Sequence, residues 1–312
     1  MSNGRLSRRA VLGGAAATAG LRVIGSRTAA ADAPAIRWQP RYILASAMYG
    51  SATLPEILPE VARTGADIID LWPPPHGTQR QEIDTLGEER VKQLLAEHGV
   101  KLGSIACYKL GPFNLADEFR MAARIAGPGV ILVTGAPGKG DATGDDLKAQ
   151  IRDFLVKLAP SVAVAEETGG VIAIENHSNS MIVSPDSIRW FGELATSDRV
   201  GVALAPHHLP QDGALMGALA RDLGPKLKFV YAQQHGKGSK DKLPKDDELL
   251  QMPGRGPLDF GPLMRQLAAM HYAGPLEIFM HPVPRGVPIL EPLPAITAEI
   301  NRARAYLEGL LG

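Results

Sequence analysis

Eight short apolar runs recur along the chain beyond Pro40, each followed by a longer stretch of helical periodicity, and this alternation restricts the fold more than any other feature. The runs are Tyr42–Ala47, Ile68–Trp72, Lys101–Cys107, Gly129–Thr134, Val171–Asn176, Val200–Ala205, Leu227–Gln233 and Leu276–Met280. Val171-Ile172-Ala173-Ile174 and Val200-Gly201-Val202-Ala203-Leu204 carry no polar side chain, as expected of parallel strands covered on both faces. The intervening stretches predict helices over Leu54–Thr64, Glu88–His98, Asn114–Ala126, Asp145–Thr168, Pro185–Thr196, Gln211–Leu223, Phe260–Met270 and Ala295–Leu311. Ser184-Pro185 sets a capping side chain ahead of a first-turn proline, and Asp259 or Pro257 marks the start at Phe260. Pro160 is expected to kink or divide the fourth helix. A doubly wound open sheet would carry a glycine-rich phosphate fingerprint after its first strand, and none is present. The pattern therefore predicts an α/β protein closed as a (β/α)8 TIM barrel.

Length and charge agree with one such domain. Removing an amino-terminal segment from the 312 residues leaves a length near the ~250 usual for an eight-unit barrel. The 33 basic and 33 acidic side chains cancel, so no net field draws the chain to nucleic acid, and a small-molecule partner is expected. Cys107 is the single cysteine, so no internal disulfide exists and a buried thiol is expected. At the amino terminus, Ser7-Arg8-Arg9-Ala10-Val11-Leu12 resembles a twin-arginine export motif, followed by an Ala/Gly-rich run from Val11 to Ala19. That run is shorter than the ~20 residues a bilayer span requires, so no stable membrane span is expected. Ala29-Ala30-Ala31 offers small residues for cleavage. The expected division is a signal peptide over 1–31 and a barrel over 32–312, with the product exported to the periplasm.

Chemistry in a barrel collects at the carboxyl ends of the strands. Glu175-Asn176-His177 follows the fifth run, His207-His208 the sixth, Gln233-Gln234-His235 the seventh and His281 the eighth. Five of the eight histidines thus end four successive strands, while His76, His98 and His271 fall in a loop or in helical stretches. A carboxylate with two or three imidazoles makes a mixed nitrogen and oxygen site for a divalent ion such as Mn, Zn, Fe or Co. Side chains alternate along a strand, so Glu175 and His177 share one direction while Asn176 points toward the helices; Gln233 and His235 share a face in the same way. Lys109, after the third run, is a candidate base or oxyanion ligand, Trp72 a candidate sugar platform, and Asp70 a candidate partner for a substrate hydroxyl. Arg285, in His281-Pro282-Val283-Pro284-Arg285-Gly286, is placed to meet a carboxylate or phosphate. The long polar connection between Gly236 and Gly256 is a lid candidate.

Four segments carry a family resemblance: Ile172-Ala173-Ile174-Glu175-Asn176-His177, Val202-Ala203-Leu204-Ala205-Pro206-His207-His208, Pro253-Gly254-Arg255-Gly256-Pro257-Leu258-Asp259-Phe260 and Tyr272-Ala273-Gly274-Pro275-Leu276. Together they resemble the sugar phosphate isomerase/epimerase proteins of the xylose-isomerase-like barrel superfamily. The resemblance implies a metal held by a strand-five glutamate, a strand-six aspartate, a strand-seven histidine and a strand-eight glutamate. Glu175 matches the first; Ala205 stands at the aspartate position, Tyr231 or Gln233 at the histidine, and Phe279 near the last glutamate. Asp70 stands where the family often has glutamate. Two readings follow. In one, the site is rebuilt as Glu175, His208, His235 and His281, with Glu175, His177 and Lys109 catalytic and Trp72, Tyr231, Gln233 and Arg285 binding substrate. In the other, the metal is lost and the barrel is a non-catalytic carbohydrate-binding protein. The rebuilt site predicts proton transfer beside a carbonyl, hence isomerisation, epimerisation or dehydration of a sugar, and export favours an unphosphorylated one. A related nuclease activity is disfavoured by the neutral charge. Unperturbed imidazoles titrate near ~6.5, so metal binding is expected to weaken below about pH 6.

Overall fold

A computed structural model describes residues 38–312. The proposed signal peptide over 1–31 lies outside the described residues. The chain alternates β1 (Arg41–Ala45), α1 (Leu54–Arg63), β2 (Ile68–Leu71), α2 (Gln79–Leu86), α3 (Glu88–Glu97), β3 (Lys101–Ala106), α4 (Ala116–Ala126), β4 (Ile131–Gly135), α5 (Gly144–Thr168), β5 (Val171–Glu175) and α6 (Pro185–Leu194). It continues through β6 (Val200–Leu204), α7 (Gly213–Leu223), β7 (Leu227–Ala232), α8 (Lys245–Glu248), α9 (Gly261–Ala269), β8 (Pro275–Ile278) and α10 (Leu293–Gly309). All eight strands are parallel and the sheet closes, with Arg41, Tyr42 and Ile43 of β1 opposite Pro275, Leu276 and Glu277 of β8. The expected closed barrel is the one observed.

Local signals explain where the elements begin. Glu56 reaches back to the backbone N–H of Thr53 at 2.8 Å and starts α1. Ser184 and Ser187 exchange bonds at 2.9 and 3.1 Å ahead of α6, as Ser184-Pro185 implied. Asp212 accepts from Ala214 N–H at 2.9 Å at the start of α7. Of the two expected effects of Pro160, division does not occur: α5 is one helix from Gly144 to Thr168. The proline is exposed, and Val156, whose carbonyl loses its partner, is 74% exposed, so water can satisfy that oxygen. The sequence also gave no sign of α2, because Gln79-Arg80-Gln81-Glu82-Ile83-Asp84-Thr85-Leu86 buries only Gln79 and Ile83.

First and last helices are tied through a buried chain: Tyr49 pairs with Thr297 at 2.8 Å, Thr297 donates to Glu60 at 2.6 Å, and Arg63 donates to Glu60 at 2.6 Å. Cys107 is a buried free thiol. Among the described residues no helix is long and apolar enough to cross a membrane.

Candidate active site

The strands' carboxyl ends open onto a cavity of about 1240 Å3. At its floor, one donor atom each from Glu175, His177 and His208 lie within 4.8 Å of one another. Glu175 is the last residue of β5, and its Oε1 is 3.7 Å from Nε2 of His208, which belongs to a short 3-10 turn after β6. Asn176 fixes this juxtaposition. Its side chain donates to the Ala205 carbonyl at 2.9 Å and accepts the Ala205 N–H at 2.8 Å, extending the β5–β6 ladder one step past both strands. The Glu175 and His208 backbones are thereby held together at the mouth.

Burial controls the protonation of the cluster. Desolvation pushes the Glu175 carboxyl up to about 8, opposed by the Tyr108 hydroxyl. Desolvation and the neighbouring histidines His177, His207 and His235 hold His208 down at about 2, and burial also lowers His177. His208 is therefore neutral far below pH 6, and the expected acid sensitivity near the ordinary histidine range does not apply to it. The proton that competes with a cation sits on Glu175 instead. A carboxylate with two neutral imidazoles is a fitting donor set for a divalent first-row ion. One detail qualifies His177: the Asn179 N–H donates to its Nδ1 at 3.1 Å, which leaves the ring proton on Nε2. In this state His177 is a hydrogen-bond donor. If Nε2 is to serve as a metal ligand, the ring must surrender the Asn179 contact.

The other sequence candidates fall in different places. His235 is exposed at the rim, its ring 5.4 Å from that of His207, outside the converging trio. His281 stacks edge-on to Phe279 at 4.7 Å and lies 4.9 Å from His76, also outside the trio, with its Nδ1 buried and unpartnered. The structure thus joins Glu175 and His208 with His177 rather than with His235 and His281. Lys109 is exposed and absent from the cavity wall, because β3 has ended and its side chain turns to solvent. Trp72 and Tyr231 do line the cavity, but each is 2% exposed. Trp72 stacks on Phe279 at 4.9 Å, so it closes the barrel and leaves little free ring face for a sugar. Tyr231 pairs with Tyr108 at 3.0 Å, and Gln233 donates to Gln251 at 2.9 Å. Arg285 lines the cavity wall.

His76, set aside by the sequence reading, and two residues that it named, His207 and Asp70, take unexpected places. His76 lines the cavity, with its ring 5.2 Å from Trp72; only the loop's path, invisible to periodicity, brings it there. His207 is buried and bonds to Gln234 O at 3.2 Å. Asp70 does not reach the cavity at all: it is fully buried beside Glu277 under Trp72 and Phe279, and none of the four carboxyl oxygens has a hydrogen-bond partner. Burial raises both carboxyls, Asp70 to about 7. The lid candidate is half fixed. Gln251 bonds Gln233, the Gln234 N–H and both backbone groups of His281, clamping the far half onto β7 and β8, while Lys237–Lys242 is largely exposed.

None of the curated proteins matches the chain by sequence. Among solved structures, a D-psicose 3-epimerase with D-tagatose from Clostridium cellulolyticum H10 superposes at TM-score 0.63 and 16% identity, covering 87% of this chain and 99% of its own. An L-ribulose 3-epimerase gives 0.61 at 17% identity over 88% and 95%. The IolI protein, solved with a bound zinc atom, gives 0.63 at 14% identity over 87% and 98%. At these identities the likeness is one of fold. The xylose isomerase-like TIM barrel family matches residues 58–305. The chain belongs to that family.

Proposed function

We propose that this protein is a divalent-metal-dependent isomerase or epimerase of sugars, moving a proton at carbon next to a carbonyl, and that it is exported by the twin-arginine route. The observation that carries the reading is the convergence of Glu175, His177 and His208 within 4.8 Å on the floor of a large cavity at the strands' carboxyl ends. The solved epimerases of the same fold support the choice of reaction class. Glu175 and His208 would hold a divalent ion, which would supply Lewis-acid polarisation of the carbonyl.

The chain's own groups do the rest. Glu175, the one carboxylate of the converging trio, shares the ion and is the group placed to move the proton. His177 presents Nε2–H as a donor, with Asn179 fixing its tautomer. The aromatic floor of Trp72, Phe279 and Tyr231 keeps bulk water from beneath the reacting carbon. A second reading, a barrel that binds carbohydrate without catalysis, draws on Ala205 and Phe279, which stand where the family's other carboxylates are expected.

The test is solvent exchange. Manganese-loaded protein in D2O is incubated with D-fructose, D-tagatose and their 6-carboxylates. Deuterium entering beside the carbonyl, abolished by chelation and by Glu175→Gln, is the expected result. Metal-loaded protein that binds a sugar yet exchanges no proton establishes the binding-only reading instead.

A further inference from the structure

Arg285 lines the cavity, and the proton-transfer reading leaves it unused. Its side chain is half-buried and fixed: Nη1 donates to the Pro282 carbonyl at 2.6 Å and Nη2 to the Ser239 carbonyl at 2.7 Å. It makes no ion pair with any described residue, and Glu248 is the single acidic group whose field it feels appreciably. A guanidinium withdrawn from water, oriented by two carbonyl dipoles and lacking a counter-ion, is a preorganised anion receptor. Burial without a partner costs stability, and an anionic ligand relieves that cost.

The surrounding charges have the same sense. Arg285 acts on His76, His207 and His281 along one side of the mouth, while Lys240 acts on His177 and His208 along the other. Lys237 is cancelled by Asp247 at 2.8 Å. The acidic groups in the cavity wall are Glu175, a proposed ligand of the divalent ion, and Asp241. Arg285 and Lys240 offset Glu175 and Asp241, so a divalent ion at Glu175 would leave the mouth with a net positive charge. A neutral ketose would leave that charge unanswered.

We infer that the substrate is an anionic sugar, bearing a carboxylate or a phosphate that Arg285 binds at the rim while the carbonyl end reaches Glu175 and His208. This rests on the sugar isomerase reading and narrows it to charged substrates.

The experiment is calorimetric binding to manganese-loaded protein with two matched series: D-fructose, D-fructose 6-phosphate and D-fructuronate, and the three corresponding tagatose compounds. One anionic form is expected to bind at least about tenfold more tightly than its neutral parent, since a charge-assisted pair is worth that much. Arg285→Gln should erase the preference, Arg285→Lys should restore part of it, and in the wild type it should shrink as salt is raised. The tighter of the two anions identifies the group. The salt titration needs no variant, so it decides the matter even if Arg285→Gln misfolds. Binding of neutral ketoses as tight as of the anions, or a preference that survives Arg285→Gln, overturns the inference and leaves the isomerase reading standing. Failure of every compound to bind overturns both.

Discussion

Replacing Asp70 with asparagine should stabilise the protein at alkaline pH and do little at acid pH. The Asp70 and Glu277 carboxyls are fully buried one layer below the active site, and none of their oxygens has a hydrogen-bond partner. Desolvation makes ionisation costly and raises Asp70 to about 7, against the lowering effect of the neighbouring Ser104, Trp72 and Glu277 side chains. A raised carboxyl binds its proton more tightly in the native state than in the unfolded chain. Stability is therefore intact below the ordinary aspartate value and is lost progressively as pH rises to about 7. The loss reaches about 4 kcal/mol at pH 8 and about 1 kcal/mol at pH 4.5, at 1.36 kcal/mol per pH unit. Asparagine has the same shape, no charge to lose, and an amide that can donate to Glu277. Urea unfolding of wild type and Asp70→Asn at both pH values, with equal m-values, gives the difference directly. The variant should gain about 3 kcal/mol on wild type between pH 4.5 and pH 8. A difference that is constant with pH would show that Asp70 is ionised at no cost, which refutes the buried-acid argument.

Metal content should collapse in Glu175→Gln and His208→Ala, read by elemental analysis of folded protein, because each removes one of the converging donors. Apparent metal affinity should rise by up to about tenfold per pH unit toward pH 8 and then level off, as the ion stops having to displace the Glu175 proton; a pH-independent affinity measured by chelator competition contradicts this. Asn176→Ala should cost about 2–4 kcal/mol in urea unfolding, through two lost bonds and two unsatisfied Ala205 groups, and should weaken metal binding by loosening His208. Replacing Arg8 and Arg9 with lysine should block processing and periplasmic accumulation in cell fractionation, and unchanged processing rejects the twin-arginine route.

The barrel was legible because burial on both faces leaves a plain signature. The stretch 171–174 and Val200–Leu204 have to be apolar throughout, and that cannot be disguised in the sequence. Helix starts were legible where a cap has a chemical requirement, as at Ser184. What escaped was structure held by polar contacts of distant origin. α2 owes its place to Gln79, whose amide donates to the Gly50 and Ala52 carbonyls at 2.8 and 2.6 Å, and a hydropathy pattern does not register such bonds.

The site was legible to the depth at which strand geometry still governs direction. Glu175 and His177 were assigned a common direction by alternation, and both reach the cluster even though β5 ends at Glu175. Asn176, assigned outward by the same rule, instead turns along the sheet edge and pairs with Ala205, because beyond the last ladder bond an unpaired backbone must find a partner wherever one lies. His235 and His281 lie farther past their strands, where the parity rule has no force. Gln251 holds the backbone of His281, and the side chain of Gln211 receives the His235 N–H at 2.8 Å. Contacts from outside the barrel, not strand alternation, decide where those two rings go. A rebuilt site is thus easiest to read at the residue that ends a strand and harder with each residue beyond it. His208, five residues beyond Ala203, the register partner of Glu175 on β6, is carried to the centre by a 3-10 turn that opens at Pro206, and its place depends on an Asn176 clamp that strand alternation did not foresee.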